Sequence, residues 1–233
     1  LLRHDLELIR RNAVRATELT RQLLLFSRRQ PMEMLPLDLN ALIKNMAKML
    51  DRLLGEDISL ETTLADELWT VKADSGSIEQ VVTNLVINAR DAMPEGGQIL
   101  IKTENVSVDE EYCSTHDGAR TGRFVCLTVQ DEGVGMDAQT LEHIFEPFFT
   151  TKEPGLGTGL GLSVVYGIVK QHSGWIDVES APGQGAIFRV YLPAISTRPV
   201  EKREAMVSLE LLRGKGERIL LVEDEQSVQE FTT

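Results

Sequence analysis

Residues 77–93, SIEQVVTNLVINARDAM, constrain this chain more than any other stretch. Val81, Val82, Leu85, Val86 and Ala89 recur at helical spacing and define a helix with one buried face. Asn84 and Asn88 stand four apart, so they share a stripe beside that face. A single carboxamide there reads equally well as an ordinary satisfied polar group, but two at i and i+4 point to a ligand site.

Composition sets the outer bounds. A chain of 233 residues holds one good core with enough left for a second element or part of a domain. Hydrophobic residues make up 42%, with no uninterrupted apolar run of about 18 residues, so a globular chain without membrane span or signal peptide is expected, and a cytoplasmic one. Cys113 and Cys126 lack the close spacing of a zinc or redox motif and read as reduced thiols. The net charge of -12 argues against a nucleic-acid surface, which wants a basic stripe. It is no obstacle to a nucleotide, whose phosphates are met by local backbone amides, a metal and one or two basic side chains.

In chain order, residues 1–30 contain neither Gly nor Pro, and Leu2, Leu6, Ile9, Ala13, Ala16, Thr20 and Leu23 form a heptad seam. A lone helix cannot bury that seam, so dimerisation or bundling is expected. Pro31 and Pro36 bound a short linker. A second amphipathic helix is expected from residue 38 to about 54, carrying Leu42, Ile43, Met46, Met49, Leu50 and Leu53, with Gly55 as its stop. Period-two alternation predicts strands over 58–64, 68–73, 98–106, 124–131, 175–180 and 186–192. Asp74, Ser75 and Ser77 supply capping groups for the central helix. Residues 137–144 and 162–172 read as further helices, and 110–122 as a polar hairpin loop. The sum is an α/β fold, a two-layer sandwich of a mixed sheet with helices on one face.

Three further motifs follow the central helix: Asp131-Glu-Gly133-Val-Gly135-Met136, then Phe145-Glu-Pro-Phe148-Phe149-Thr150-Thr151-Lys152, then Gly155-Leu-Gly157-Thr158-Gly159-Leu160-Gly161. Asp131 closes an apolar strand at a Gly-rich turn, where a carboxylate can accept from an amino group and the backbone can approach a flat ligand closely. An Asp-Gly turn by itself is usually only a turn. The last glycines run G-x-G-x-G-x-G after polar residues, which is not the dinucleotide fingerprint, and there is no G-x-x-x-x-G-K-[ST] loop.

With the asparagine helix, these motifs resemble the N, G1, F and G2 boxes of the sensor histidine kinase ATP-binding domain, of the gyrase, chaperone, histidine kinase and MutL superfamily. The resemblance covers residues 36–196 and implies the Bergerat-type fold, ATP and Mg²⁺. It assigns Asn88 to the metal through the ATP phosphates, Asn84 to the phosphate side, and Asp131, Gly133, Gly135 and Met136 to the base. Asp91 stands near them at the helix end, either as part of the site or as an exposed acid. Phe149, Thr150, Thr151, Lys152, Gly157, Thr158, Gly159, Leu160 and Gly161 belong to a lid over residues 150–160 that orders on nucleotide, with Lys152 on phosphate. Phe145 and Phe148 read as core or hinge packing. Ala186 departs from the family pattern, in which a threonine is common near the adenine.

The end of the first segment, Leu19 to Gln30, resembles the second helix of the family's dimerisation hairpin. That implies a homodimer, and places the acceptor histidine on a first helix outside this sequence. His4 is expected not to be the acceptor, since no turn signal separates it from Gln30. Residues 197–216 read as a linker. Residues 217–233, with Glu223 and Asp224 ending an apolar strand, resemble the truncated opening of a receiver domain, so a receiver in cis or a response regulator is the expected partner. The function implied is phosphoryl transfer from ATP to histidine in a two-component hybrid kinase. The alternatives are a non-catalytic nucleotide sensor and an ATPase of the same superfold. Hydrolases of that superfold place a glutamate one turn before the metal asparagine, where this chain has Asn84.

Overall fold

A computed structural model describes residues 32–55, 57–115, 118–152 and 157–195. The seam helix, His4, the 197–216 linker and the receiver-like residues 217–233 lie outside them, as do lid residues 153–156. Twelve described elements run in the order β1 (Leu35–Leu37), α1 (Leu39–Leu54), β2 (Ile58–Leu64), β3 (Thr70–Ala73), α2 (Ser75–Asp91), β4 (Gly97–Val108), α3 (Glu110–Thr115), β5 (Gly122–Asp131), α4 (Ala138–His143), α5 (Gly161–Gln171), β6 (Trp175–Ser180) and β7 (Ala186–Ile195).

The strands form one seven-stranded sheet in the order β1-β3-β7-β5-β4-β2, with β6 also paired to β7. All ladders are antiparallel except β2 with β4, whose partners run from Ile58↔Gly97 to Leu64↔Thr103. A parallel neighbour requires a crossover, and β3 with α2 supplies it. This returns the chain so that α2 lies on the sheet.

The core sits between α1, α2, α5 and that face of the sheet. Leu39, Leu42, Ile43, Met46, Leu50 and Leu54 are the buried row of α1. Met49 and Leu53, read from sequence as part of the stripe, stay 47% and 37% exposed because they turn past its edge. From α2 the buried row is Ile78, Val81, Val82, Leu85, Val86 and Ala89, and from α5 Val165, Ile168 and Val169. Val125, Leu127 and Val129 of β5 meet them. Burying each such aliphatic side chain contributes about 1.5–3 kcal/mol before chain entropy is counted.

Two elements were not legible in advance. Leu35–Leu37, within the expected linker, pairs with β3 at Leu35↔Ala73 and Leu37↔Val71. The expected hairpin loop contains α3, whose Tyr112 and Cys113 pack on the sheet's opposite face against Phe124, Cys126, Trp175 and Tyr191. Trp175 stacks on Tyr191 with ring centroids 4.4 Å apart, and the Tyr112 hydroxyl donates to that of Tyr191 at 2.9 Å. Both cysteines are free thiols, and burial pushes Cys126 up to about 11. Among the described residues no helix is long and apolar enough to cross a membrane.

Candidate functional site

The clearest part of the site is the turn after β5. Asp131 is only 4% exposed, and its Oδ1 accepts from the amides of Gly133 at 2.9 Å and Ala186 at 3.3 Å. Among the described residues Oδ2 has no hydrogen-bond partner. Burial pushes this carboxyl above its ordinary value of 3.8, and the two backbone donors only partly offset the effect. A buried carboxylate oxygen without a donor is costly unless a ligand supplies one.

The turn is held by backbone. Val134 N donates to the Ala92 carbonyl at 3.0 Å, and Gly183 N to the Val134 carbonyl at 2.7 Å. A Cβ on Gly133 would come within 2.6 Å of the Ala92 oxygen. At Gly135 the backbone has φ +67°, and a Cβ would overlap the Ala181 carbonyl oxygen. Met136, half-buried against the core, donates its amide to Ser180 Oγ at 2.9 Å, while that hydroxyl donates to the Gly185 carbonyl at 2.6 Å. Ala92, Ser180 and the Ala186 amide were missed by sequence reading. Two act through main-chain atoms, which carry no residue signature, and Ser180 is an ordinary strand-end serine.

Asn84 and Asn88 open toward the start of α5. Asn84 Nδ2 donates to the Gly161 carbonyl at 3.3 Å. The Asn88 carboxamide makes no hydrogen bond among the described residues, and a Cβ on Gly161 would stand 3.6 Å from its Nδ2. The asparagine pair therefore faces the first residue of α5.

At the end of α2, Asp91 Oδ2 accepts from Lys152 Nζ at 2.6 Å, while Oδ1 accepts from Arg90 Nη2 at 2.8 Å and Nε at 3.1 Å. Partial burial would raise the Asp91 carboxyl, but the Lys152 and Arg90 hydrogen bonds prevail and hold it below 3.8. Lys152 is thus brought into the cluster, on a carboxylate.

The remaining residues of the segment read from sequence as a lid differ in placement. Thr150 and Thr151 are exposed, and Thr150 Oγ1 accepts from the Lys152 amide at 3.2 Å. A Cβ on Gly157 would press on that hydroxyl at 2.6 Å. Thr158 Oγ1 accepts from the amide of buried Leu160 at 3.4 Å. Gly159, at φ +65°, accepts at its carbonyl from Phe148 N at 2.8 Å. Phe149 is half-buried against the core, 5.6 Å from the His143 ring. Phe145 packs on the core beside Tyr166. Phe148 does not: it is 66% exposed at φ +71°, because the bond to Gly159 turns its backbone and aims the ring outward. Core packing, one of the two alternatives read for Phe148 from sequence, is therefore corrected.

The chain is similar to known proteins. Residues 73–196 match the family described as "Histidine kinase-, DNA gyrase B-, and HSP90-like ATPase". The chain is 45% identical over 231 residues to the sensor kinase CckA of Brucella abortus (strain 2308), covering 97% of this chain and 24% of that protein. It therefore spans about a quarter of that relative's length. Among solved structures it is similar to the catalytic domain of histidine kinase ThkA in a nucleotide-free form, at TM-score 0.54 and 32% identity over 70% of this chain and 99% of that one. It is also similar to full-length ShkA in complex with AMPPNP, at TM-score 0.56 and 26% identity over 72% of this chain and 33% of that one. The match over residues 73–196, with the near-complete coverage of a histidine kinase catalytic domain, places this chain in the histidine kinase-, DNA gyrase B- and HSP90-like ATPase family.

Proposed function

We propose that this chain is the ATP-binding catalytic part of a hybrid sensor histidine kinase, which passes the γ-phosphoryl of ATP to a histidine of a dimerisation hairpin and on to a receiver aspartate. The observation that carries the reading is Asp131, a buried carboxylate whose free oxygen matches the amino group of adenine. Its other oxygen is fixed by two amides, so the acceptor is pre-aimed. Gly133 and Gly135 leave room for the base, and Met136 borders it.

Mg²⁺ fits the donor set. Asn88 offers a hard carboxamide oxygen that no described residue occupies, beside the start of α5. Asn88 would hold the ion, which when bound offsets the negative charge of the phosphates. Asn84 orients the opening of α5 through the Gly161 carbonyl, and Lys152 is the near cation that a phosphate can recruit. Hydrolysis is the less supported reading. One turn before Asn88 stands Asn84, whose amide is engaged with Gly161, so no carboxylate there can activate water. That ShkA, which this chain resembles over 33% of that protein's length, was solved in complex with AMPPNP supports a nucleotide-binding reading.

The test is calorimetric titration of Mg²⁺-ATP into the wild-type chain and Asn88→Ala, followed by incubation with γ-labelled ATP and a supplied dimerisation hairpin carrying a histidine. Metal-dependent binding lost in Asn88→Ala, with acid-labile label on the hairpin, is the expected result. Binding without phosphotransfer would favour a nucleotide sensor, and binding unchanged in Asn88→Ala would overturn the metal assignment.

A further inference from the structure

At the end of the molecule away from the asparagine pair, one residue gathers three segments. Asp74 Oδ1 accepts from Ser77 N at 2.8 Å and Ser77 Oγ at 2.7 Å, which caps α2. Asp74 Oδ2 accepts from Glu33 N at 3.2 Å, just before β1. The Asp74 amide donates to His172 Nε2 at 3.1 Å. His172 is 2% exposed and caps α5, and its Nδ1 lies 2.8 Å from the Ile168 carbonyl. These partners settle the tautomer. A carbonyl can only accept, so Nδ1 carries the proton; an amide N–H can only donate, so Nε2 is bare. Both ring nitrogens are committed.

The two helices joined here are those that flank the proposed phosphate side. They run antiparallel: Asp74 meets His172 at one end, and Asn84 meets Gly161 at the other. The ties are about 15 Å apart along each helix, from the rise per residue. The Asn84–Gly161 bond is already long at 3.3 Å, so little axial slide is needed to lose it. Ridge-and-groove packing sets how the helices approach, and the directional bonds at their two ends add a constraint on the register.

We infer that Asp74 and His172 are positioning residues, setting the register of α5 against α2 and hence of Gly161 against Asn84 and Asn88. The inference rests on the nucleotide reading above and deepens it. It predicts an effect on phosphates and none on the base, because the Asp131 turn is anchored to Ala92, Gly183 and β7 rather than to α5.

The test uses the whole chain with His172→Phe, which keeps a ring but no acceptor, and His172→Gln, which keeps an acceptor near the Nε2 position. Mg²⁺-ATP and adenosine are titrated into each, with thermal melts alongside. The expected result is a loss of about tenfold in Mg²⁺-ATP affinity for His172→Phe, adenosine affinity unchanged, and recovery in His172→Gln. Equal loss of both ligands, or loss of neither, overturns the inference while leaving the nucleotide reading intact. A wild-type chain that binds neither ligand overturns both. Should His172→Phe fail to fold, ¹⁵N NMR of wild-type histidine decides: a proton on Nδ1 with coupling from the Asp74 amide to Nε2 supports the clamp, and a proton on Nε2 overturns it.

Discussion

The two ends of the proposed site are built from different materials. At the Asp131 end, amides and carbonyls of Ala92, Gly133, Val134, Gly183 and Ala186 bond one another or one buried carboxylate, and the Met136 amide bonds the Ser180 hydroxyl, so the shape is fixed before any ligand arrives. At the Lys152 end, a partly exposed ion pair, two threonine hydroxyls and the Asn84 amide do the holding. A backbone-built site discriminates by geometry and resists change. A charge-built site exchanges partners at little cost and responds to salt. Under the proposed reading, the base is recognised by a preformed surface and the phosphates by groups that must first leave other partners.

Gly135→Ala should give the largest effect, because it attacks the preformed end twice. The new Cβ overlaps the Ala181 carbonyl oxygen, and the backbone there is left-handed. Destabilisation of about 2–4 kcal/mol is expected, with adenosine binding abolished. Chemical denaturation and calorimetry check both, and a tolerated Gly135→Ala would show that the turn is not rigid. Asp131→Asn comes next. The asparagine oxygen must keep accepting from Gly133 and Ala186, so its amino group is turned toward the adenine amino group, donor against donor. ATP affinity should fall about 100-fold while a 6-oxo purine nucleotide gains relative to it. Acid should mimic the change in wild type. Since the Asp131 value is raised, the stability from protonation is fully present below 3.8 and lost as pH rises through the folded value. Adenosine affinity runs the opposite way, falling on acidification with a midpoint above 3.8.

The same division governs what the sequence disclosed. The asparagine pair, Asp131, its glycines and Lys152 could be singled out because each belongs to a motif of residue types at fixed spacing, and their roles toward a nucleotide are those proposed above. The six longer strands and the main helices were legible from periodicity, with β4 reaching Val108 rather than residue 106. Three residues are too few to show a period, so β1 was hidden in a Pro-containing linker. Helix α3 was hidden because its apolar contacts are only Tyr112 and Cys113 in an acidic run. Phe148 misled for a related reason: hydrophobicity predicts burial, but its positive φ follows from a bond to a residue eleven positions on. The Asp74–His172 tie spans 98 residues and has no local sign.

At the charge-built end, Lys152→Ala should cost about tenfold in Mg²⁺-ATP affinity and leave adenosine untouched. Its stability cost should be under about 1 kcal/mol, because the Lys152–Asp91 pair is partly exposed. The loss in affinity should shrink as salt is raised. An equal loss of adenosine would mean that the two ends are not independent, and the comparison above would fail.

The smallest effect, and the sharpest on mechanism, is expected from Asp91→Asn. The carboxylate now holds Lys152 at 2.6 Å and Arg90 at 2.8 Å. Arg90 has a second anchor, since its Nη1 donates to the Leu53 carbonyl at 3.1 Å, and an amide oxygen at position 91 can still accept from it. Among the described residues Lys152 Nζ has no other partner, so the substitution releases chiefly that side chain. Two consequences share a sign: a lysine freed from its counter-charge is available to phosphate, and a negative charge beside the phosphates is removed. Mg²⁺-ATP affinity should therefore rise about two- to threefold at low ionic strength and converge on wild type at high salt. Stability moves the other way. Because the Asp91 value is depressed, its contribution is present above 3.8 and lost as pH falls through the folded value, so the variant should resemble acidified wild type and differ little from it at low pH. Calorimetry across a salt series with melts across pH reads both. A fall in Mg²⁺-ATP affinity would instead place Asp91 among the groups that hold the nucleotide, and Lys152 would then be paired with it in the bound state as well.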